Sequence, residues 1–258
     1  MLAAGIVTGD AAVGNDTLIS VEAIRGTDFA DTYNALGFTS DTAPTPSANA
    51  GSGSNFNEFE GMGGNDTVTG NGNTRVSYDN ATAGVTVTLG LNGSGTATGD
   101  ASVGTDTFIS GVSRVRGSDF ADTITGNGGN NFIEGQGGSD TLTGGNGLDR
   151  FIYGAVNDGL DHITDFSGNG GEGDVFTFNH FAFGNGLAVG GADTGVLDAS
   201  HFVANSFGAT TVAEVFWFNT TDNTLYYDAD GSGTGSAAVG IAVLDNSFVL
   251  SSSDLHLI

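Results

Sequence analysis

The stretch that decides the fold runs from residue 117 to residue 152 and reads, in groups of nine, GSDFADTIT, GNGGNNFIE, GQGGSDTLT and GGNGLDRFI. Every group begins with glycine, and the last three groups have a second glycine at the fourth position. The sixth position is always Asp or Asn, and the eighth is always a large apolar residue. Four groups in register without an insertion indicate a repeating structure rather than a biased composition.

Each part of the nine-residue unit has a structural role. The glycine-rich half with Asp or Asn at its end is typical of a turn that needs positive φ, which glycine adopts without a Cβ clash. The last three residues predict a short strand, whose middle residue points inward while its Thr-rich neighbours point outward. Two units, with one strand on each of two sheets, complete a coil, so residues eighteen positions apart stack. This places Asp122 over Asp140 on one edge, and Asn131 over Asp149 on the other.

Stacked carboxylates repel one another unless a cation lies between them. Calcium takes six to eight oxygen ligands in flexible geometry, so carboxylates together with turn carbonyls suit it. The pattern therefore predicts calcium sites along the turns.

The unit resembles GGxGxDxUx, the calcium-binding nonapeptide of the RTX (repeats-in-toxin, haemolysin-type) proteins. The resemblance implies an all-β chain that forms a right-handed parallel β-roll, followed by further strands in a sandwich-like C-terminal part. It implies calcium ions between successive turns, with side-chain ligands from Asp119, Asp122, Asn131, Asp140 and Asp149. Turn carbonyls would complete the sites, and these come from Gly126, Gly135, Gly137 and Gly144.

A less regular copy of the same pattern precedes this one. It reads GTDFADTYN (26–34), SGSNFNEFE (52–60) and GMGGNDTVT (61–69), with an inserted surface loop at 35–51. Its candidate calcium ligands are Asp28, Asp31, Asn57 and Asp66. The fourth unit is one residue short and lacks its aspartate, although Arg75 matches Arg150. One calcium edge is therefore expected to be incomplete in the first copy.

The predicted domain organisation has three parts. Residues 1–97 form the degenerate first copy, residues 98–155 the regular β-roll, and residues 156–258 a roll-closing β region with a C-terminal signal. Segments 85–89, 174–178, 212–218 and 238–244 are β-branched or aromatic and predict strands, and no segment shows helical periodicity. The first copy lacks the residues that precede the second, so the chain is expected to be a piece of a longer protein.

Asp228 and Asp230 precede glycines in DADGSG and allow two interpretations. Alternating aspartates before glycine begin some calcium loops. The segment lacks the later acidic positions of an EF-hand, so a plain tight turn fits equally well.

Composition excludes several classes of protein. Thirty acidic residues against five basic ones give a formal net charge of −25, which disfavours a nucleic-acid partner. No apolar run reaches the ~20 residues of a membrane span. No cysteine is present, so disulfides are excluded. The four histidines stand in no recognisable catalytic or zinc motif, and the chain is expected not to be an enzyme.

The C-terminal half resembles the closing segment of RTX proteins that type I systems export. Asp161, Asp165 and Asp174 match its acidic positions, and residues 224–258 are similar to the uncleaved export signal. The resemblance implies the type I secretion machinery as a partner, and secretion to the extracellular space or the cell surface.

The leading hypothesis is a secreted, calcium-binding RTX module that folds when it meets extracellular calcium. Two alternatives stay open. The first is a calcium-dependent segment of a surface layer or adhesin, which would self-associate or bind a cell-surface glycan. The second is the non-catalytic C-terminal part of a secreted hydrolase or epimerase.

Overall fold

The computed structural model describes residues 5–8, 15–18, 21–40, 50–51, 55–168, 173–184, 187 and 195–258. For 5–8, 15–18, 40 and 50–51 only the backbone is described. Residues 41–49 of the predicted inserted loop, and 9–14 and 19–20 of the first copy, lie outside the described residues. Within the described parts, strands and turns make up the fold, together with the short 3-10 turns Leu91–Gly93, Ala199–His201 and Ser252–Asp254. The prediction of an all-β chain is confirmed.

The strands follow the chain closely, with short turns between most of them. Their bounds are β1 Gly5–Thr8, β2 Asn15–Leu18, β3 Ala23–Arg25, β4 Thr32–Asn34, β5 Thr39–Ser40, β6 Ala50–Gly51, β7 Asn57–Glu60, β8 Thr67–Ser77, β9 Thr86–Leu89, β10 Gly95–Thr98, β11 Thr105–Arg116, β12 Thr123–Thr125, β13 Phe132–Glu134, β14 Thr141–Thr143, β15 Arg150–Tyr153, β16 Asp161–Ile163, β17 Val175–Phe178, β18 Phe202–Asn205, β19 Phe216–Asn219, β20 Thr224–Tyr227, β21 Val239–Leu244 and β22 Leu255–Leu257.

Two large sheets run the length of the described chain. The first sheet is entirely parallel, in the order β3, β7, β8, β11, β13, β15, β17 and β22. The second sheet has the order β4, β8, β11, β10, β9, β12, β14, β16, β21, β20, β19 and β18. The pairs β1–β2 and β5–β6 lie outside both sheets.

The regular copy forms the coil that its sequence predicts. Successive strands alternate between the two sheets, and Ile124 pairs with Leu142 while Ile133 pairs with Phe151, eighteen residues on. These four eighth-position side chains are at most 1% exposed. Parallel strands that alternate between two sheets make a β-roll, so the predicted architecture is confirmed.

The first copy departs from the regular coil at one corner. Strands β8 and β11 pass through both sheets without a nine-residue turn between their halves. Their pairing is irregular at this point, and Gly70 lies directly against Gly111. At this corner an extended crossing of the chain thus takes the place of a turn in both strands.

The C-terminal part extends the same two sheets rather than building separate ones. Strand β22 pairs with β17 in the first sheet, and β21 pairs with β16 in the second. Phenylalanine fills the space between the sheets, and the ring centroids of Phe178 and Phe216 are 4.7 Å apart. All four predicted strand segments contain a strand. No helix in the described residues is long and apolar enough to cross a bilayer.

Candidate metal centre

Three ladders of acidic side chains run along the edges between the two sheets. In each ladder, the backbone N–H of one member donates a hydrogen bond to Oδ1 of the next member, one coil further on. The distances are 2.8 to 3.0 Å. The ladders are Asp31–Asp66–Asp106 (the first ladder), Asp122–Asp140–Asp161 (the second ladder) and Asn131–Asp149–Asp174 (the opposite-edge ladder).

The second carboxylate oxygen separates two kinds of turn. In Asp66, Asp140 and Asp149, Oδ2 is buried and has no hydrogen-bond partner among the residues that the structure describes. We call the turns that end in these residues, 61–66, 135–140 and 144–149, the open turns. Burying a polar atom without a partner costs free energy, so the free oxygen of each open turn can take one further partner.

In the other repeat turns, the equivalent side-chain oxygen accepts a hydrogen bond from a backbone N–H of the same turn. We call these turns, 26–31, 117–122 and 126–131, the closed turns. The N–H of Thr27 donates to Oδ2 of Asp31 at 2.7 Å. The N–H of Ser118 donates to Oδ2 of Asp122 at 2.6 Å. The N–H of Asn127 donates to Oδ1 of Asn131 at 2.8 Å. A backbone N–H of the turn itself thus occupies the place where a cation would bind.

The backbone at the second position of the turn accounts for this difference. In the open turns, this position has positive φ, at Met62 (65°), Gln136 (69°) and Gly145 (97°). In the closed turns it does not. The positive φ is unusual for Met and Gln, which shows that the fold rather than local preference sets it.

First-position glycines make room for the free oxygen. A Cβ placed on Gly61, Gly135 or Gly144 would overlap Oδ2 of the aspartate five residues later. The carbonyl oxygens of these glycines lie against the first-position glycines of the preceding coil, which are Gly26, Gly117 and Gly126. Each open turn therefore holds its free carboxylate oxygen directly against the first-position glycine, while the carbonyl of that glycine faces the preceding coil.

Burial and mutual repulsion raise the pKa values of the ladder carboxylates. Burial, with repulsion from Asp161, raises the pKa of Asp140 to about 8. Burial, reinforced by neighbouring aspartates, likewise raises the pKa of Asp66 and Asp149 to about 7 each. Donated backbone N–H bonds oppose these shifts without cancelling them. A positive charge at the open turns would oppose these shifts, because it favours the ionised carboxylate.

A tyrosine lies at the end of both ladders on the first edge, and sequence reasoning missed it. The hydroxyl of Tyr78 donates to Oδ2 of Asp106 at 3.1 Å, and Tyr153 lies beside Asp161. The signal is present in the sequence, because Arg75–Tyr78 and Arg150–Tyr153 share the pattern RxxY. Asp106 was also missed, although it stands in a TDT triplet like that of Asp140 in SDT.

The first copy has a neutral pair where the regular copy has an aspartate. Thr74 stands opposite Asn57, as Asp149 stands opposite Asn131. The hydroxyl of Thr74 donates to Oδ1 of Asn57 at 2.8 Å, and the Tyr33 hydroxyl donates to the same atom at 3.0 Å. With no carboxylate and its acceptor satisfied, this corner offers no cation site.

The remaining predicted ligands lie further from the free oxygens. Asp28 and Asp119 are exposed at the third position of closed turns, and Asp119 lies over Gly137 of the next coil. Asp230 accepts bonds from the N–H groups of Gly235 (2.7 Å) and Ser236 (3.1 Å). Both oxygens of Asp230 are used within its own loop, which favours the tight-turn interpretation.

The residues present fit calcium better than a transition metal. Within the described ranges, no three His, Cys, Asp or Glu side chains converge on one point. The open turns instead offer single carboxylate oxygens within backbone turns, and carboxylate and carbonyl oxygens are the hard donors that calcium takes in numbers of six to eight. Their orphaned Oδ2 atoms are the observation that supports this fit.

Gly135→Ala tests the open turn directly. The new methyl would overlap Oδ2 of Asp140, so we expect a lower calcium stoichiometry by titration calorimetry. Stability to urea in millimolar calcium should fall by about 2 kcal/mol, the contribution of one site. Gly128→Ala is the matched control, because a Cβ there meets nothing within 4 Å. Equal effects of the two changes would contradict the assignment.

The raised pKa values predict how stability depends on pH without calcium. An aspartate has a pKa of ~3.9 in the unfolded chain, against about 8 for folded Asp140. The folded state therefore binds more protons between ~4 and ~8, and its stability falls as pH rises through this interval. In chelator, the melting temperature should drop between pH 5 and pH 8. Asp140→Asn should reduce this drop, whereas the exposed Asp119→Asn should not; a melting temperature that rises with pH would refute the argument.

Comparison with known proteins agrees with this geometry. The family model of the RTX calcium-binding nonapeptide repeat (4 copies) matches residues 50–74 and 116–151. These two segments contain all three open turns. Among curated proteins no match is found. The glycine-lined turns, their unpartnered aspartates and the matched segments together show that the chain carries RTX calcium-binding nonapeptide repeats.

Proposed function

We propose that this RTX module folds on binding extracellular calcium at its three open turns, and that its C-terminal strands carry a type I secretion signal. The observation that supports the first part is the set of buried, unpartnered Oδ2 atoms of Asp66, Asp140 and Asp149. Without a cation, folding must either protonate these carboxylates or bury their charge. Both alternatives oppose folding near neutral pH.

Calcium binding would supply free energy of folding at these turns. Bound calcium would neutralise the carboxylates and accept their oxygens as ligands, together with carbonyls of the turn glycines. Calcium at about thirtyfold above its dissociation constant adds roughly 2 kcal/mol for each site. Three such sites are comparable with the roughly 5–15 kcal/mol that stabilises a typical domain.

The net charge supports a switch between two environments. With a formal charge of −25, self-repulsion favours an open chain where free calcium is scarce, as in a cytoplasm. An open chain suits passage through an export channel. The open turns would then bind calcium outside the cell and close the roll.

The position of the C-terminal strand supports export before folding. Strand β22 pairs with β17, and Leu255 and Leu257 are buried in the core that both sheets share. A signal located here would be hidden in the folded roll and accessible only in the unfolded chain. Calcium-dependent folding would therefore keep the signal available inside the cell and bury it outside.

The proposed module is not an enzyme. In the described residues, His162 lies 3.0 Å from Asp245, His201 lies 2.8 Å from the Ala213 carbonyl, and His180 lies 2.6 Å from the Ile258 carbonyl. Nε2 of His256 is buried without a hydrogen-bond partner among the described residues. None of these contacts includes a nucleophile beside the histidine. Catalysis would then belong to another part of a longer protein.

Calcium removal provides the central test. Far-ultraviolet circular dichroism should show less strand in excess chelator than in millimolar calcium at pH 7.5. The melting temperature should fall by roughly 10–20 °C, the shift expected when about three sites of ~2 kcal/mol each are lost. Magnesium at the same concentration is the control cation. Identical spectra and melting curves in chelator and calcium would end the folding proposal.

Export is tested separately, in a host that has a type I secretion system. Deleting residues 255–258 should retain the chain inside the cell, because it removes the end of the proposed signal. The folding variant Gly135→Ala, by contrast, should reach the medium as wild type does, since its export precedes folding. Secretion of the deleted chain at the wild-type level would contradict the signal assignment and leave the calcium assignment untouched.

A further inference from the structure

All five basic side chains of this acidic protein lie on one surface. The chain has five arginines and no lysine, and each arginine lies on a strand of the first sheet. Their inward-pointing neighbours, such as Val76, Val115 and Phe151, are buried, so the arginines face outward. The arginines are Arg25, Arg75, Arg114, Arg116 and Arg150.

Three of these arginines alternate with two aromatic rings. The guanidinium groups of Arg75 and Arg114 lie 5.2 Å and 5.4 Å from the ring centroid of Phe56. The guanidinium groups of Arg114 and Arg150 lie 3.6 Å and 5.6 Å from the ring centroid of Phe132. We call this arrangement of Arg75, Phe56, Arg114, Phe132 and Arg150 the basic row. Stacking on the rings holds planar guanidinium groups in fixed orientations.

Two members of the basic row have no acidic partner. Arg25 pairs with Glu60, Arg75 with Glu58, and Arg116 with Glu134. Arg114 and Arg150 form no ion pair with any described residue. This is unexpected in a chain with thirty acidic residues. Nε of Arg114 donates to Oδ1 of Asn73 at 2.7 Å, which leaves its two terminal amino groups to donate elsewhere.

The stacked arginines also repel one another. Burial lowers the pKa of the Arg114 guanidinium, and the charges of Arg75 and Arg150 lower it further. A row of cations requires an anion for the same reason that the aspartate ladders require a cation.

A cavity opens over one end of the basic row, beside Phe56, Arg75 and Arg114. Its volume is about 540 Å³, within the usual range for small-molecule sites. Its lining also includes Asn73, Arg116, Glu134, Asn179 and Ile258, whereas Phe132 and Arg150 do not line it. Amide side chains beside the arginines offer hydrogen bonds to neutral polar groups as well as to charge.

We propose that the basic row binds a linear carboxylated polysaccharide, with carboxylates on Arg114 and Arg150. Guanidinium groups bind carboxylates through paired hydrogen bonds, and both terminal amino groups of Arg114 are available for such a pair. The two arginines lie on β11 and β15, separated by β13, so the row spans about 10 Å across the strands. That span suits charges that recur along a chain better than one small anion.

The overall charge selects against denser polyanions. Nucleic acid carries one charge for every ~1.7 Å of duplex, so the protein's charge of −25 would repel it strongly outside this small surface. A polysaccharide with one carboxylate for each few sugar units is repelled less, and its hydroxyl groups can use the amides of Asn73 and Asn179. This inference goes beyond calcium binding and export, and it depends on neither the signal nor the number of ions.

Affinity gel electrophoresis in millimolar calcium tests the proposal on the full chain, with hyaluronan as the carboxylated probe and neutral dextran as its uncharged control. Hyaluronan should retard the wild-type protein, and dextran should not. Arg114→Gln and Arg150→Gln should each weaken binding about tenfold, the effect of losing one charge-assisted hydrogen bond. Arg25→Gln removes the same charge from the same sheet outside the row, and should leave hyaluronan binding unchanged.

Several results would overturn the proposal. These are no retardation by hyaluronan, an equal loss in Arg25→Gln, or tighter binding to polyglutamate or dextran sulfate at matched charge. Unchanged melting temperature and calcium stoichiometry in Arg114→Gln would show that the roll itself is intact. Should Arg114→Gln fail to fold, Arg150→Gln gives the same test, because its guanidinium lies farther from the Phe132 ring.

Discussion

The structure depends on one constraint: each open turn buries a carboxylate oxygen that no described residue satisfies. The other oxygen of the same carboxylate already accepts the backbone N–H of the preceding coil, for example from Asp122 to Asp140. This bond fixes the carboxylate at the edge of the roll, and the first-position glycine allows the free oxygen to approach the backbone. Rotation of the side chain into water would break the ladder, so the free oxygen has to find a cation or a proton. The coil geometry and the need for calcium therefore have the same origin.

The two ladders on the first edge have defined ends, because each begins at a closed turn and ends beside a tyrosine. The regular copy begins at the closed turn of Ser118 and Asp122, and Tyr153 lies beside the last ladder member, Asp161. The first copy shows the same order, from Thr27 to Tyr78. On the first edge, a short side chain with a hydroxyl group at the second position thus begins each ladder, and a tyrosine lies at its end. The free oxygens that could bind a cation belong to the middle member of each ladder, where water has least access.

The two kinds of surface on the roll follow the same electrostatic rule with opposite signs. Aspartates at the edges are stacked closely enough to need positive charge, and arginines on the first sheet are stacked closely enough to need negative charge. Arg114, Phe132 and Arg150 stack because parallel strands bring these paired positions side by side at a spacing of about 4.8 Å. The regular repeat of the roll therefore turns single residues into rows of like charge.

Much of this protein was determined by its sequence alone, because a nine-residue period fixes which residues face inward and which positions stack. The period gave the β-roll, the pairing of Asp122 with Asp140, and the missing aspartate opposite Asn57. It could not distinguish open from closed turns, since Asp122 and Asp140 occupy the same position of the unit. That distinction depends on backbone φ at Gln136 and on a hydrogen bond from Ser118, which only the folded coil sets. Nor could the sequence bring together Arg75, Arg114 and Arg150, which are far apart along the chain; the parallel pairing of β8, β11, β13 and β15 places them in one row.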